Sequence, residues 1–517
     1  MEKFLAGVKA VNDAINERVW GIECLVLLIG TGIIITVLTK FFQITHIRHW
    51  WSNTIVSIFK KDGSSTKSKG KNTISQFQAL CTALAATVGT GNIAGVAAAI
   101  VTGGPGAVFW MWFAAFFGMM TNFAENILGI YYRRKNADGE WIGGPMYYLT
   151  DGLGKRYGKK WLSPIAKVLA ILFSCFAILA SFGIGNMAQI NKIVLNMDAA
   201  FFKSATLGTI PGTQIDIIRL IIGGCLLLIA ALIIIGGLQR IAKFASIVVP
   251  FMAVAYIIGS LIVFFANITS VGPMFAAIFK FAFTPAAFLG GGIGVLIKKT
   301  MTQGFKRGVF SNEAGLGSSV LVHSSSNVKE PVKQGMWGIF EVFFDTFVIC
   351  TMTAIVVLST GYIDLKTGAP VAGIDGDTLV SQAFSQQFGA PGAWFVAVAM
   401  LFFAFTTVLG WSQYGSKAVE YLFGRNGVKV YKVIFVVMII SGAVMEGGLA
   451  WDLSDTFNGL MMIPNLIGVI ALFPLVVKIV KNYVDRKIRH KDIAPMLSYD
   501  AITESQMAQN LDENIEE

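Results

Sequence analysis

The sequence predicts an all-α membrane protein of about eleven spanning helices, built as two inverted sets of five helices behind one extra N-terminal helix. Composition is the first observation: of 517 residues, 55% are hydrophobic and 14% charged, with mean hydropathy +0.65. A soluble domain carries about 25% charged residues. The second observation is a series of eleven apolar segments long enough to cross about 30 Å of hydrocarbon. The third is that basic residues concentrate in every second loop.

The eleven segments, numbered 1 to 11, begin near Trp20, Gln76, Ala107, Trp161, Ile217, Phe244, Leu289, Met336, Ala393, Tyr431 and Leu460. Segment 7 is unusual because it carries Lys298, Lys299, Lys306 and Arg307, and a charge at membrane depth costs about 2.5–3.5 kcal/mol. Such a segment cannot face lipid. Either it starts in an interfacial stretch near Pro285 to Leu296, or its basic face lines a protein or water cavity. A re-entrant or surface loop is the remaining alternative.

The net charge is +11, and the basic residues behind it are concentrated in alternate loops. The loops after segments 1 and 3 hold seven Lys or Arg each, whereas the loops on the opposite side hold only Lys192, Lys203, Lys280 and Lys366. By the positive-inside rule, the N-terminus lies outside and the C-terminus lies in the cytoplasm. A multi-pass protein of the cell membrane therefore explains the basic charge, and no nucleic-acid partner is expected.

The topology divides the chain into four parts. Residues 1–75 form the N-terminal helix and a basic cytoplasmic loop, residues 76–270 the first repeat, and residues 271–484 the second. Because five helices is an odd number, the second repeat inserts upside down. Residues 485–517 form a cytoplasmic polar tail, which we expect to be disordered from Asp492 because it is acidic and polar.

Segments 2 and 7 are each interrupted by a polar, glycine-rich break. The first lies near residues 87–95, and the second is Phe310-Ser-Asn-Glu-Ala-Gly-Leu-Gly317. Inside a bilayer a broken helix is tolerated only where protein or water satisfies the freed backbone groups. Two breaks at corresponding places in two halves are typical of the substrate and ion site of a secondary transporter. Phe310 and Ser311 are therefore candidate substrate-binding residues.

The chemistry of a broken helix suits a zwitterionic amino acid and Na⁺. One end exposes N–H groups that favour an anion, and the other exposes carbonyls that favour a cation. We expect the N–H groups of Thr90 and Gly91 to bind a carboxylate. The carbonyls from Ala85 to Val88 are expected to bind Na⁺, with the amide oxygen of Asn92 as a further hard ligand.

The first break also allows two other interpretations, a dinucleotide-binding loop and a site of close helix packing. The stretch Gly89-Thr-Gly-Asn-Ile-Ala94 matches the dinucleotide pattern G-x-G-x-x-G/A, but that site needs a preceding strand and an acidic residue about 20 positions downstream. Here the flanks are helical and the downstream residues are Trp110, Met111 and Trp112. Close helix packing by small residues stays open, and it is compatible with a binding site.

Several motifs then follow one another along the chain: Ala85-Ala-Thr-Val-Gly-Thr-Gly-Asn-Ile-Ala-Gly95, Gly104-Pro-Gly-Ala107, Glu125, Gly143-Gly-Pro-Met-Tyr-Tyr148, Gly183-Ile-Gly-Asn-Met187 and Arg307-Gly-Val-Phe-Ser-Asn-Glu-Ala-Gly-Leu-Gly317. With them, the sequence from about Trp20 to Val484 resembles the alanine/glycine:cation symporters, also called sodium:alanine symporters. The resemblance implies the inverted-repeat fold of the bacterial leucine transporter with one extra N-terminal helix.

The resemblance also implies positions for further site residues. Segment 9 would place Thr406 and Thr407 beside the first break, where they would complete the Na⁺ site, and Trp411 would form a wall of the pocket. Segment 4 would face both breaks, so that Gln189 or Asn186 would hydrogen-bond the substrate. For these side chains the alternative is a local hydrogen bond to their own helix.

Acidic residues inside the spans are candidates for function by default: Glu125 in segment 3, Glu313 in the second break, and Glu341 and Asp345 in segment 8. Ion coupling, a proton relay and buried ion pairs with Lys306 or Arg307 are the open roles. We favour structural pairing for Glu125, and gating or pairing for Glu313.

The leading hypothesis is a secondary transporter that imports a small neutral amino acid, alanine or glycine, with Na⁺ by alternating access. Coupling to H⁺ and a preference for serine or glutamine are alternatives within that class. A channel is the alternative outside it, but a channel is expected to build rings by oligomeric symmetry. We find no catalytic constellation, no metal-ligand spacing of His or Cys and no Walker A motif for ATP. We therefore expect no enzyme and no cofactor, with Na⁺ as the coupling ion.

Overall fold

The computed structural model describes residues 2–60, 65–68, 73–156, 160–202, 207–211, 215–284, 293–371, 373–374, 376, 378–445, 449–501, 503–505 and 507. Within these residues the protein is mostly helical. Eight helices are long and apolar enough to cross a membrane, and a bent pair, Gln76–Thr87 with Gly91–Gly103, makes a ninth candidate.

The N-terminal part is helical on both sides of segment 1. It comprises α1 (Glu2–Val19), α2 (Ile22–Leu38), α3 (Phe42–Thr45), α4 (Ile47–Asn53) and α5 (Ile55–Ile58). The long helix α1, which precedes segment 1, was not predicted. It lies against the start of the last long helix, since Lys9 forms an ion pair of 3.3 Å with Asp452 and the Trp20 indole N–H donates to the Asp455 carbonyl at 3.2 Å.

The first predicted repeat begins with the broken helix. Its elements are α6 (Gln76–Thr87), α7 (Val96–Gly103), α8 (Gly106–Tyr131), β1 (Arg134–Lys135), β2 (Trp141–Ile142), α9 (Pro145–Tyr147), α10 (Gly154–Arg156), α11 (Leu162–Phe182), α12 (Ala188–Met197), α13 (Ile217–Ile235) and α14 (Gly237–Ala266). Strands β1 and β2 form an antiparallel hairpin. The turns Gly91–Gly95, Tyr148–Leu153, Gly183–Met187 and Asp198–Phe202 are π-helical. Ser75 begins α6 with a capping box, in which its hydroxyl accepts from the Gln78 N–H at 3.1 Å.

The second predicted repeat contains α15 (Ile268–Phe283), α16 (Ile293–Asn312), α17 (Val320–His323), α18 (Pro331–Val342), the π-helical turns Phe343–Cys350, α19 (Thr351–Ser359), α20 (Leu379–Phe388), α21 (Ala390–Val444) and α22 (Leu449–Lys487). The helix α15 was not predicted. It has 16 residues, which is shorter than the roughly 17–25 residues of a spanning helix.

The 55-residue helix α21 is a helical hairpin rather than one rod. Gly424 interrupts it with a positive φ of 68° and ψ of −170°, a conformation that glycine adopts without strain. The two halves lie side by side, because a Cβ on Gly415 would collide with the Tyr431 hydroxyl. Segments 9 and 10 are therefore the two arms of this hairpin.

Every predicted segment whose start is described begins in a helix or within two residues of one. The start of segment 7, near Leu289, lies outside the described residues. Its helix α16 is not among the apolar spans: Lys298 and Lys299 are exposed, and Lys306 forms an ion pair of 2.7 Å with Asp455. The count of eleven spans and the inverted repeat stay predictions.

The prediction of a disordered tail from Asp492 is wrong for residues 492–499. Leu497 is buried, the Tyr499 N–H donates to the Tyr131 carbonyl at 3.1 Å, and the Tyr499 ring lies 5.2 Å from that of Tyr132. The apolar side chains of this short stretch therefore fold back onto the end of α8. Residues 508–517 lie outside the described part of the chain.

Candidate functional site

The first break begins where α6 ends. Val88 leaves the helical conformation with ψ of 85°, and the helix axis turns by 54° before the chain continues through the π-helical turn Gly91–Gly95. The side chain of Asn92 closes the gap, since its amide oxygen accepts from the Gly89 N–H at 2.9 Å. The interruption predicted near residues 87–95 is thus present, and its freed backbone groups are satisfied by protein.

A side chain from segment 4 completes this closure. The Gln189 amide oxygen accepts from the Thr90 N–H at 3.2 Å, and its amide nitrogen donates to the Ile184 carbonyl at 3.0 Å. An oxygen atom is thereby held on the backbone N–H predicted to bind a carboxylate. The hydroxyls of Thr87 and Thr90 are buried without a hydrogen-bond partner in the described part of the chain, so the break still holds polar atoms that can bind a ligand.

The second break separates α16 from α17. Glu313, Gly315 and Gly317 all have positive φ, of 55°, 90° and 73°. The Ser318 hydroxyl donates to the Glu313 carboxylate, and the Asn312 amide oxygen accepts from the Ala314 N–H at 3.0 Å. This turn therefore ends the helix abruptly between residues 312 and 319.

Asp345 joins the two breaks. Its carboxylate accepts from the Asn92 amide at 2.6 Å and from the Ser311 hydroxyl at 2.8 Å, and Thr346 adds a third bond at 3.0 Å. Asn92, Ser311 and Asp345 are all fully buried. Beside them Gly91 lies against the Phe310 ring. We call the set Asn92, Ser311 and Asp345 the junction.

The sequence marked Asp345 only as one of four intramembrane acids. Its contact with Asn92 links positions 253 residues apart, and the pattern of segment 8 does not fix which way each side chain points. A π-helical turn, Phe343–Cys350, contains the residue. Such turns often occur at functional sites, but a pattern of apolar residues does not reveal them.

The two adjacent threonines of α21 differ in orientation. The Thr407 hydroxyl lies 3.0 Å from the Phe403 carbonyl of its own helix and 3.1 Å from the Ala85 carbonyl of α6. The Thr406 hydroxyl lies 2.9 Å from the Phe402 carbonyl of its own helix and 3.8 Å from the Met252 sulfur. Both threonines therefore make the local hydrogen bond that is the alternative to a site role, and in the described part of the chain Thr407 is the one of the two that also reaches the break.

Two further predicted ligands face other partners. The Asn92 amide oxygen accepts from the Gly89 N–H, which uses one of its two lone pairs, and its role as a Na⁺ ligand stays a prediction. The Asn186 amide donates to the Phe435 carbonyl at 2.6 Å on the second arm of α21, away from both breaks. Trp411 is buried against Gly185, where a Cβ would collide with its indole ring, and it also contacts the Glu313 carboxylate.

Ion pairs with Lys306 or Arg307 were one of the open roles for Glu125 and Glu313, and the described part of the chain contains neither pair. Glu125 accepts from the Asn465 amide, and Glu313 from the hydroxyl of Ser318. Lys306 pairs with Asp455. Lys306 precedes Glu313 by seven residues, about two helical turns, so the two side chains lie about 10 Å apart along the helix axis.

A cavity of about 220 Å³ reaches the first break, below the roughly 300–1,000 Å³ of pockets for drug-sized ligands. Thr90, Gly91 and Phe310 line its inner end. Further out its walls carry two basic and two acidic side chains, Lys192, Arg307, Asp452 and Asp455. Since Asp452 is held by Lys9 of α1, the cavity lies on the side of the N-terminal helix.

The chain is similar to known membrane transporters over nearly its whole length. The profile of the sodium:alanine symporter family matches residues 5–496. The sodium/alanine symporter AgcS of Methanococcus maripaludis is 42% identical over 471 residues, which cover 91% of this chain and 96% of AgcS. The probable sodium/glutamine symporter GlnT of Bacillus subtilis is 37% identical over 479 residues, 92% of this chain and 91% of GlnT.

A solved structure resembles the fold at low sequence identity. The crystal structure of MhsT in complex with L-phenylalanine superposes with a TM-score of 0.51 at 14% identity, covering 80% of this chain and 99% of that one. Such a match concerns the arrangement of helices alone.

Proposed function

The chain belongs to the sodium:alanine symporter family, and from that premise we propose that it imports a small neutral amino acid, alanine or glycine, together with Na⁺ by alternating access. In this proposal the N-terminus lies outside and the C-terminus in the cytoplasm. The repeats are residues 76–270 and 271–484. Membership in this family supports the coarser part of the proposal, which is that the chain is a multi-pass membrane protein that couples amino-acid transport to a cation.

The observation that carries the proposal is the junction, where a buried carboxylate holds both broken helices. In this proposal the Asp345 carboxylate supplies a negative charge for the substrate ammonium. The Asn92 amide oxygen supplies a further acceptor. The Thr90 N–H, on which the Gln189 amide oxygen sits at 3.2 Å, supplies a position for the substrate carboxylate. That carboxylate would displace the oxygen, and the amide would then turn its NH₂ group toward the substrate.

The cation site of this proposal lies at the end of α6. The carbonyls of Ala85 and Val88 and the hydroxyl of Thr407 are oxygen ligands of the kind that hard cations prefer. The 3.1 Å approach of Thr407 to the Ala85 carbonyl supports this assignment. Phe310 and Ser311 contact the substrate in this proposal because they lie beside Gly91 and Asp345. Trp411 contacts it from α21, where its side chain lies near Glu313 of the second break.

The direct test is uptake of labelled L-alanine into proteoliposomes, with an inward Na⁺ gradient compared with an equal K⁺ gradient. We expect accumulation only with Na⁺, and competition by glycine more than by glutamine because the cavity is small. The order in which glycine, D-alanine, serine and glutamine compete indicates the size and the stereoselectivity of the pocket. Absence of Na⁺-dependent uptake for all of them would overturn the assignment.

Thr407 and Thr406 form a matched pair for the ion site. Thr407→Val should raise the Na⁺ concentration for half-maximal uptake about tenfold, since losing one oxygen ligand is comparable to losing a hydrogen bond of about 1–2 kcal/mol. Thr406→Val should leave it within about twofold, because the Thr406 hydroxyl lies near the Phe402 carbonyl and the Met252 sulfur rather than near the Ala85 carbonyl. Equal shifts in both variants would contradict the assignment of Thr407.

Proton coupling is tested by Glu313→Gln. If H⁺ drove uptake through this buried carboxylate, the variant would lose uptake driven by a pH gradient. We expect Glu313→Gln to keep the Na⁺ dependence, because Glu313 bonds Ser318 and Trp411 rather than the junction. Loss of gradient dependence in Glu313→Gln, with none in Thr407→Val, would favour H⁺ over Na⁺.

A further inference from the structure

A second polar cavity, of about 450 Å³, lies at the other end of the protein from the candidate site. The second arm of α21 runs between the two cavities: this one surrounds the Gly424 turn, and the first lies near Asp452, just beyond Val444. Its walls come from the β1–β2 hairpin, the start of α14 and both arms of α21. This is the face on which the basic loops lie, so the positive-inside rule places it in the cytoplasm.

Some of the charged groups in this cavity neutralise one another. The Glu420 carboxylate accepts from the Asn136 amide at 2.9 Å and from the Lys417 ammonium at 3.5 Å. Arg425 forms an ion pair with Asp138 on the hairpin. These bonds link the hairpin to α21. In them the charges of Lys417 and Arg425 are balanced by those of Glu420 and Asp138.

Two lysines and one amide remain for a ligand. Within the described part of the chain, neither Lys429 nor Lys432 has a carboxylate within 4.0 Å, and Glu140 attracts Lys432 only from a longer distance. The Gln413 side chain, on a residue only 3% exposed, has an amide nitrogen without a hydrogen-bond partner among the described residues. Glu140 also lines the cavity, but it does not pair directly with either lysine. Two lysines without a direct carboxylate partner and a buried N–H donor are suited to an anion with several acceptor oxygens.

The surroundings of the cavity indicate where such an anion comes from. Large apolar side chains beside its lining residues face outward: Ile235 is 74% exposed, Phe423 69%, Val430 61% and Val433 66%. In a spanning protein such side chains contact lipid tails. The cavity therefore lies at the lipid-facing perimeter, at the level where the spans end and where lipid headgroups lie.

We propose that this cavity binds the headgroup of an anionic phospholipid of the cytoplasmic leaflet, a phosphate diester with one negative charge. Lys429 and Lys432 hold the phosphate oxygens, and the Gln413 amide donates to one of them. Basic pockets between spanning helices on the cytoplasmic side bind anionic headgroups in this way. The apolar flanks favour a lipid over free phosphate, because they accommodate the acyl chains.

The test uses the full-length protein purified in detergent and radiolabelled phosphatidylglycerol, with phosphatidylcholine as the neutral lipid. Lys429→Gln/Lys432→Gln should weaken phosphatidylglycerol binding about 25-fold, from about fivefold for each lysine. The matched control is Lys478→Gln/Lys481→Gln, which removes two exposed lysines of α22. Gln413→Leu, which keeps every charge, should weaken binding about fivefold through the lost donor.

Binding of phosphatidylglycerol that is lost only in the cavity variants supports the proposal. Equal binding in all variants overturns it, and so does equal loss in the α22 control, which would indicate diffuse surface attraction. Displacement of the label by millimolar inorganic phosphate would identify a free-phosphate site and overturn the lipid assignment. If Lys429→Gln/Lys432→Gln does not purify as a folded protein, two other variants test the proposal. Gln413→Leu should weaken phosphatidylglycerol binding, and Lys429→Arg/Lys432→Arg should retain it.

Discussion

Replacement of Asp345 by asparagine is expected to lower the kcat/KM of Na⁺-driven alanine uptake at least about 100-fold. The carboxylate accepts hydrogen bonds from Asn92, Ser311 and Thr346, and the asparagine NH₂ group would face these donors with another donor. A hydrogen bond to a charged group contributes about 1.5–3 kcal/mol, and about 2.7 kcal/mol corresponds to a factor of 100. The initial rate of uptake into proteoliposomes, at equal protein content, measures the effect.

Asp364→Asn is the matched control for this prediction. The Asp364 side chain is exposed and bonds the Thr367 hydroxyl at 2.7 Å in a loop. The same chemical change there should leave uptake within about twofold. An Asp345→Asn variant that folds and retains more than half of the wild-type rate would remove Asp345 from the proposed site.

The second large effect is expected for Gly89→Ala. A Cβ at this position would collide with the Thr407 hydroxyl and would lie 3.2 Å from the Gln189 amide oxygen. One methyl group would thus displace both the proposed ion ligand and the group on the Thr90 N–H. We expect uptake to fall about 30-fold, since overpacking costs about 1–3 kcal/mol and about 2 kcal/mol corresponds to that factor, with weaker apparent affinity for Na⁺ and for alanine.

Gly95→Ala separates this effect from a general loss of helix flexibility. Gly95 ends the π-helical turn that follows Gly89, but the nearest atom to its Cβ would be the Thr90 carbonyl oxygen at 3.9 Å, an ordinary contact. Uptake by Gly95→Ala should stay within about twofold of wild type. Similar losses in both variants would mean that the glycines serve helix packing rather than close approach to Thr407.

The positions of the long helices follow from hydropathy, whereas their partners do not. Apolar length predicted the starts of α6, α8, α11 and α13 to within two residues. The helix α15 was missed because it is too short to span and a search for spans overlooks it. The packed tail was missed for a similar reason, since a few apolar side chains such as Leu497 do not outweigh an acidic composition.

At the candidate site the sequence identified the breaks, and the resemblance identified the opposing helices. Adjacent residues on a helix point about 100° apart, so Thr406 and Thr407 cannot both face α6, and hydropathy does not choose between them. Asn186 lies in the π-helical turn Gly183–Met187, which hydropathy does not reveal, and it donates to the Phe435 carbonyl of α21; its contact with the substrate stays a prediction. The junction depends on tertiary contacts that neither composition nor motif spacing contains.

The junction also sets an order of events during synthesis. Asn92 and Asp345 are 253 residues apart, and chains grow at about 5–20 residues per second, so Asp345 leaves the ribosome about 10–50 s after Asn92. During that interval the Asn92 amide has no carboxylate to bond inside the bilayer. The junction can therefore form only after segment 8 is made, and a chain truncated before segment 8 should have a first break that lacks this bond.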